Sequence, residues 1–127
     1  MTPYVLVVDD DPAIRMVVRL GLERVAGWEV VEASSSDAAV DVVSRRRPDV
    51  VLLDVMMPEQ DGPATLARLR ALDGGADLRV VFLTASGPGG ETQRLHDLGV
   101  AGVIRKPFDP MSLAAEVATM LGWELRT

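Results

Sequence analysis

Short runs rich in β-branched and other apolar residues alternate along this chain with longer stretches whose apolar residues recur every three or four positions. The runs occupy positions 4–8, 28–32, 50–53, 78–83 and 101–105. Between them Ile14, Val17, Val18, Gly21 and Val25 keep helical spacing, as do Ala39, Val40 and Val43, then Leu66, Leu69 and Leu72, and finally Leu113, Val117, Met120 and Leu121. The pattern predicts five strands, each followed by a helix, with the fourth helix, over 91–98, weakly patterned. Start and stop signals agree with it. Asp11 ahead of Pro12, then Ser35 or Ser36, Asp61 and Pro110 stand where helices open, and Gly27 and Pro48 where two of them end.

Five βα units with short links predict an α/β fold, a doubly wound five-stranded parallel sheet with helices on both faces and right-handed crossovers. The run Val50, Val51, Leu52, Leu53 has no polar alternation, as a central strand covered on both faces requires. The 127 residues suit one domain over 1–127. No linker, repeat or low-complexity stretch divides them, and neither half could cover its own strands.

Composition narrows the class further. Apolar residues are 48% of the chain, enough for a real core. A net charge of −6 with no basic stripe argues against a general nucleic-acid or membrane-surface binder. The short cluster Arg45, Arg46, Arg47 reads as a solvated helix end, favourable at the C-terminal dipole. There is no cysteine, which excludes disulfides and thiolate metal sites. The first residues lack the regions of a signal peptide. No apolar run approaches the ~20 residues of a spanning helix. A cytoplasmic protein with no membrane partner is the expectation.

The candidate chemistry lies where strands end. In an open parallel sheet the carboxyl ends lie side by side and form the ligand crevice. Asp9 and Asp10 follow the first strand, Asp54 the third, Thr84 the fourth and Lys106 the fifth. Crowded carboxylates raise one another's pKa. A hard cation removes that cost, and Mg²⁺ prefers oxygen ligands and keeps several waters. Asp11 reads as a helix cap alone. A carboxylate such as Asp54 can take a phosphoryl group as an acyl phosphate. The Thr84 hydroxyl can donate to a phosphoryl oxygen, and the Lys106 ammonium can pair with Asp54 and then with its phosphate. Each residue alone has an ordinary structural role. Their conjunction points to Mg²⁺-assisted phosphoryl transfer.

These residues fall in segments that resemble one family. Val7, Val8, Asp9, Asp10, Asp11 and Pro12, the stretch 48–58 from Pro48 through Asp54 to Pro58, the pair Asp61 and Gly62, the triplet Leu83, Thr84 and Ala85, and Lys106, Pro107 and Phe108 are similar to the motifs of the response-regulator receiver domain, the phosphoacceptor half of two-component signalling. The spacings also fit, with 44 residues from Asp10 to Asp54, 30 on to Thr84 and 22 more to Lys106. The likeness covers nearly the whole chain. It implies a CheY-like, flavodoxin-like (βα)5 fold with strand order 2-1-3-4-5 and a cis peptide between Lys106 and Pro107. It implies that Asp54 is the phosphorylated aspartate. Asp10, Asp54 and the Met56 carbonyl would ligate Mg²⁺, with Asp9 acting through water. Thr84, Lys106 and the backbone N–H groups of Met56 and Ala85 would hold phosphoryl oxygens. The implied donor is a phosphohistidine on a sensor histidine kinase or histidine phosphotransfer protein, or a small acyl phosphate. The implied output is a downstream protein or output domain, with no direct nucleic-acid contact by this domain, which would be a monomer or a phosphorylation-promoted homodimer.

Departures from the family pattern carry expectations of their own. Val103 stands where many receivers have a Tyr or Phe that turns inward on activation. Valine cannot make that swing, so the signal is expected to pass through backbone shifts in the loop after Thr84, where Gly87, Pro88, Gly89 and Gly90 suit mobility. Met56 and Ser86, at positions that tune phosphate lifetime in the family, are poor bases, and slow self-dephosphorylation follows. His96 is expected at the surface, Trp28 and Trp123 at edges, and the six methionines as core and helix filling rather than a ligand surface, with Met56 and Met57 bordering the site. Arg94, Asp97, Arg105 and Glu116 are the candidates for a partner-binding face. Two other readings differ in class. A haloacid-dehalogenase-like phosphatase would use Asp9 as nucleophile within Asp9-x-Asp11, but Pro12 and Ala13 stand where its threonine belongs, and its late acidic pair is missing. A pseudo-receiver would act only by contact and would have lost the site, which here is complete.

Overall fold

The computed structural model describes residues 2–85 and 90–123, with the backbone alone at Gly90 and Glu91. Its elements run β1 (Tyr4–Val8), α1 (Pro12–Arg19), β2 (Glu29–Ala33), α2 (Ser36–Arg45), β3 (Val50–Asp54), α3 (Gly62–Arg70), β4 (Val80–Thr84), α4 (Gly90–His96), β5 (Gly102–Arg105) and α5 (Leu113–Leu121). The strands form one sheet in the order β2-β1-β3-β4-β5, with every pair parallel. This is the flavodoxin-like arrangement and the expected order.

The strand runs are apolar throughout because each strand serves two cores. Successive side chains leave opposite faces of the sheet. Val5, Val7, Val50, Leu52, Val81 and Leu83 pack on one side with Val18, Leu22, Leu113, Val117 and Leu121. Leu6, Val8, Val51, Leu53, Val80 and Phe82 pack on the other with Ala39, Val43, Leu66, Leu69 and Leu95. Each fully buried aliphatic side chain contributes roughly 1.5–3 kcal/mol. A one-residue slip of any central strand would therefore exchange its residues between two filled cores. That requirement fixes where each strand ends.

Local signals explain most boundaries. Asp11, Ser35 and Asp61 accept hydrogen bonds from the first-turn N–H groups of Ala13, Ala38 and Ala64, so all three act as N-caps. After Arg19 the first helix widens into a π-helical segment, Leu20–Val25, which periodicity did not indicate. Gly21 lies in it, and a Cβ there would sit 2.5 Å from the Pro110 carbonyl oxygen. The last helix opens at Leu113 rather than at Pro110. Asp109 takes the N–H of Met111 on its side chain and that of Ser112 on its carbonyl, so Pro110 lies in a turn.

Three further expectations are corrected or met. Trp28, just ahead of the edge strand β2, packs against Trp123. Their rings meet edge to face at 5.6 Å, and Trp28 belongs to a core. Met16, Met56 and Met111 are exposed rather than packed in cores, on the outer face of α1, in the loop after β3 and in the turn before α5. His96 is exposed, as expected. Of the expected mobile stretch, Gly87, Pro88 and Gly89 lie outside the described residues, and Gly90 opens α4 instead.

One glycine ties the fold to the strand ends. The Gly62 N–H donates to the Val55 carbonyl at 2.8 Å. A Cβ at Gly62 would stand 2.6 Å from the Asp54 carbonyl oxygen and 2.8 Å from the Val55 Cα. Both are backbone atoms that cannot give way cheaply. Gly62→Ala is therefore expected to cost about 1–3 kcal/mol, as overpacking does. A urea unfolding curve checks this, and an unchanged midpoint would contradict it.

Candidate functional site

Strand register builds the site. Val8 pairs with Leu53, so Asp9 and Asp54 are the next residues along the adjacent strands β1 and β3. Asp54 pairs in turn with Leu83, and Thr84 with Arg105. The Lys106 N–H donates to the Thr84 carbonyl at 2.7 Å, which fixes the start of the segment that carries the ammonium. The Lys106–Pro107 peptide is cis, as expected. Asp9 is fully buried, while Asp54 and Thr84 keep 4% and 1% of their surface. Asp10 and Ala85 are exposed.

Four of the expected side chains converge. Carboxylate oxygens of Asp9, Asp10 and Asp54 lie within 4.8 Å of one another. The Lys106 Nζ bridges two of them, at 2.7 Å from Asp9 Oδ2 and 3.1 Å from Asp54 Oδ1. Asp9 Oδ1 accepts the Asp11 N–H at 2.9 Å. The Met56 N–H faces Asp54 Oδ1 at a long 3.3 Å, with its own side chain in solvent. Thr84 ends the neighbouring strand beside Asp54.

Burial is the main cause of the electrostatics. It raises the Asp54 pKa, the negative charge of Asp9 raises it further, and the bond from Lys106 offsets only part, leaving Asp54 at about 6. Burial also opposes the charge on Lys106, but its bonds to Asp9 and Asp54 outweigh that and hold the ammonium above its ordinary pKa. Three carboxylates against one ammonium leave surplus negative charge in a set of oxygen donors. That donor set fits a hard divalent cation such as Mg²⁺.

Sequence reasoning missed part of the support. Arg15 Nη1 donates to the Asp9 carbonyl at 2.7 Å, and its Nε donates to Glu32 Oε1 at 2.9 Å. Arg19 joins the same carboxylate. Burial disfavours charge on Glu32, yet the bonds from Arg19 and Arg15 bring its pKa below the usual value. Arg15 reaches across to β2 and back to the Asp9 carbonyl, contacts that no local spacing in the sequence signals. The direct Asp9–Lys106 contact had no such signal either. Ser86 lies outside the described residues. Val103 is half-buried against the core that contains Phe82 and Leu95. Arg94, Asp97, Arg105 and Glu116 are all exposed.

Comparison with known proteins agrees with this geometry. Residues 5–118 match the family described as the response regulator receiver domain. The chain belongs to that family. It is 35% identical over 119 residues to the DNA-binding dual master transcriptional regulator RpaA of Synechocystis, covering 94% of this chain and 49% of that protein. It is 34% identical over 109 residues to sporulation initiation phosphotransferase F of Bacillus subtilis, covering 86% of each. Among solved structures it resembles the chemotaxis response regulator CheY4 of Vibrio cholerae, with TM-score 0.86, 28% identity and coverage of 94% and 99% of the two chains. A response regulator from Chloroflexus aurantiacus gives TM-score 0.86 at 30% identity, covering 96% and 99%. The chain spans about half the length of the first curated relatives it matches. The family match supports the receiver reading over the phosphatase and the pseudo-receiver.

The raised pKa has a consequence for stability. Asp54 titrates at about 6 when folded against an ordinary value of 3.8. Folding therefore takes up protons between those values, and stability falls as pH rises through that window. The full cost is present above pH 6 and is at most about 3 kcal/mol, at 1.36 kcal/mol per pKa unit. In metal-free buffer Asp54→Asn is expected to be more stable than wild type by about 1–2 kcal/mol at neutral pH. The advantage should vanish as the pH falls toward 4. Denaturant curves at both pH values check this, and equal stabilities at neutral pH would contradict it.

Proposed function

We propose that this receiver accepts a phosphoryl group on Asp54 from a phosphohistidine of a sensor histidine kinase or histidine phosphotransfer protein, and that the aspartyl phosphate switches its contacts with an output protein or domain. The single observation that supports this best is the Lys106 bridge between two buried carboxylates in a chain of the receiver family. An Asp54 oxygen attacks phosphorus, a P–O bond forms, the P–N bond to the imidazole breaks, and that nitrogen takes a proton from solvent. Lys106 is placed to exchange its carboxylate partner for a phosphoryl oxygen. The Thr84 hydroxyl and the Met56 and Ala85 N–H groups supply further donors.

Asp10, Asp54 and the Met56 carbonyl would hold Mg²⁺, with Asp9 through water. The ion supplies charge neutralisation for the carboxylates and the phosphoryl oxygens. Asp9 is less suited to be a nucleophile in its own right, because Lys106 and the Asp11 N–H already occupy its two oxygens. Because it is a receiver of two-component signalling, we place the protein in the cytoplasm. Separately, among the described residues no helix is long and apolar enough to cross a membrane. Met56 offers no base for activating water, so the aspartyl phosphate should persist.

Intact mass after incubation with acetyl phosphate tests the reading. Wild type should gain one phosphoryl group in a Mg²⁺-dependent manner, and Asp54→Asn should gain none. After removal of the donor the adduct should decay over minutes or longer. An adduct that survives Asp54→Asn but is lost in Asp9→Asn would overturn the reading in favour of the phosphatase. A half-life of seconds would contradict the slow decay.

A further inference from the structure

A polar knot lies on the far side of the loop that carries Met56. Arg68, on α3, places its Nη1 2.8 Å from Gln60 Oε1, 2.9 Å from Ser36 Oγ and 2.8 Å from Asp37 Oδ1. The Ser36 hydroxyl donates to the same Gln60 oxygen at 2.7 Å and is itself buried. One guanidinium nitrogen thus ties three segments together: the start of α2, the loop between β3 and α3, and α3 itself. The Asp37 arm is largely solvent-exposed and adds little. The Gln60 and Ser36 arms are sheltered.

The loop needs such a tether. It turns sharply, with the Gln60 N–H donating to the Pro58 carbonyl at 2.8 Å and Glu59 at φ 69°, a left-handed conformation unfavourable for a residue with a side chain. Its site end is anchored by the Gly62 N–H on the Val55 carbonyl. Between these points Met56 presents its N–H toward Asp54 at 3.3 Å, a contact too long to hold the loop by itself.

We propose that Arg68 is a positioning residue for the phosphoryl site: through Gln60 and Ser36 it locks the β3–α3 loop so that the Met56 backbone faces Asp54. Its effect on Mg²⁺ affinity rests on the metal site proposed with the phosphoacceptor role. The loop ordering stands without it. Outer contacts that orient metal-binding groups typically change affinity by tenfold or more when removed.

The test compares wild type, Arg68→Met, Arg68→Lys and Gln60→Ala. In metal-free protein, amide hydrogen exchange should speed up about tenfold or more over 56–61 in Arg68→Met and Gln60→Ala, and not in β1 or β4. The Mg²⁺ concentration at half-maximal effect, read from backbone amide shifts, should rise about tenfold in both. Arg68→Lys, which keeps a donor, should recover part of each effect. If Arg68→Met fails to fold, Gln60→Ala on the loop still decides the matter. Unchanged exchange and an unchanged Mg²⁺ midpoint in a folded variant would overturn the proposal, and so would uniformly faster exchange across the sheet. Absence of an acetyl-phosphate adduct on wild type would defeat the phosphoacceptor reading, while the exchange data would still judge the tether.

Discussion

The site depends on one ammonium holding two buried carboxylates that would otherwise repel. Asp9 and Asp54 stand side by side because β1 and β3 are neighbours in register, and Lys106 reaches both from the end of β5. The neutralisation is incomplete, as the raised Asp54 pKa indicates. Like charges at close range in a partly desolvated crevice make a poor resting arrangement. The same arrangement favours whatever brings positive charge or a group that can be shared with Lys106. In the proposed function, the stability lost at the site would be returned as affinity for a cation and readiness for a phosphoryl group.

Such tension is tolerated because the sheet beneath cannot relax it. Each central strand feeds two cores, so its end is fixed by packing on both faces. The loops then set the fine geometry. Arg15 holds the Asp9 carbonyl, Gly62 lets the chain fold closely against Asp54 and Val55, and Arg68 gathers Gln60 and Ser36. These contacts join the hydrophobic architecture to the placement of single polar atoms.

Most of the architecture was legible because strand runs and caps are local signals. Tyr4–Val8 and the caps Asp11 and Asp61 declare themselves within a few residues. The candidate site residues were legible as types at strand ends, and their family spacing made the set specific. What stayed hidden is tertiary. The π-helical segment meets Pro110 through Gly21, a contact between distant parts of the chain. Pro110 resembled a helix opener, but the Asp109 turn claimed it. Met16, Met56 and Met111 were apolar without being inward. The Asp9–Lys106 bridge spans 97 residues, and no local pattern encodes such a pair.

The central claim is that Asp54 carries a charge penalty that a divalent cation relieves. The most direct measurement is the titration of the Asp54 side-chain carboxyl carbon by NMR, in metal-free buffer and with saturating Mg²⁺. The account predicts a midpoint of about 6 without metal and a clearly lower one with it. A metal-free midpoint at the ordinary carboxylate value, or one that Mg²⁺ does not move, would contradict it.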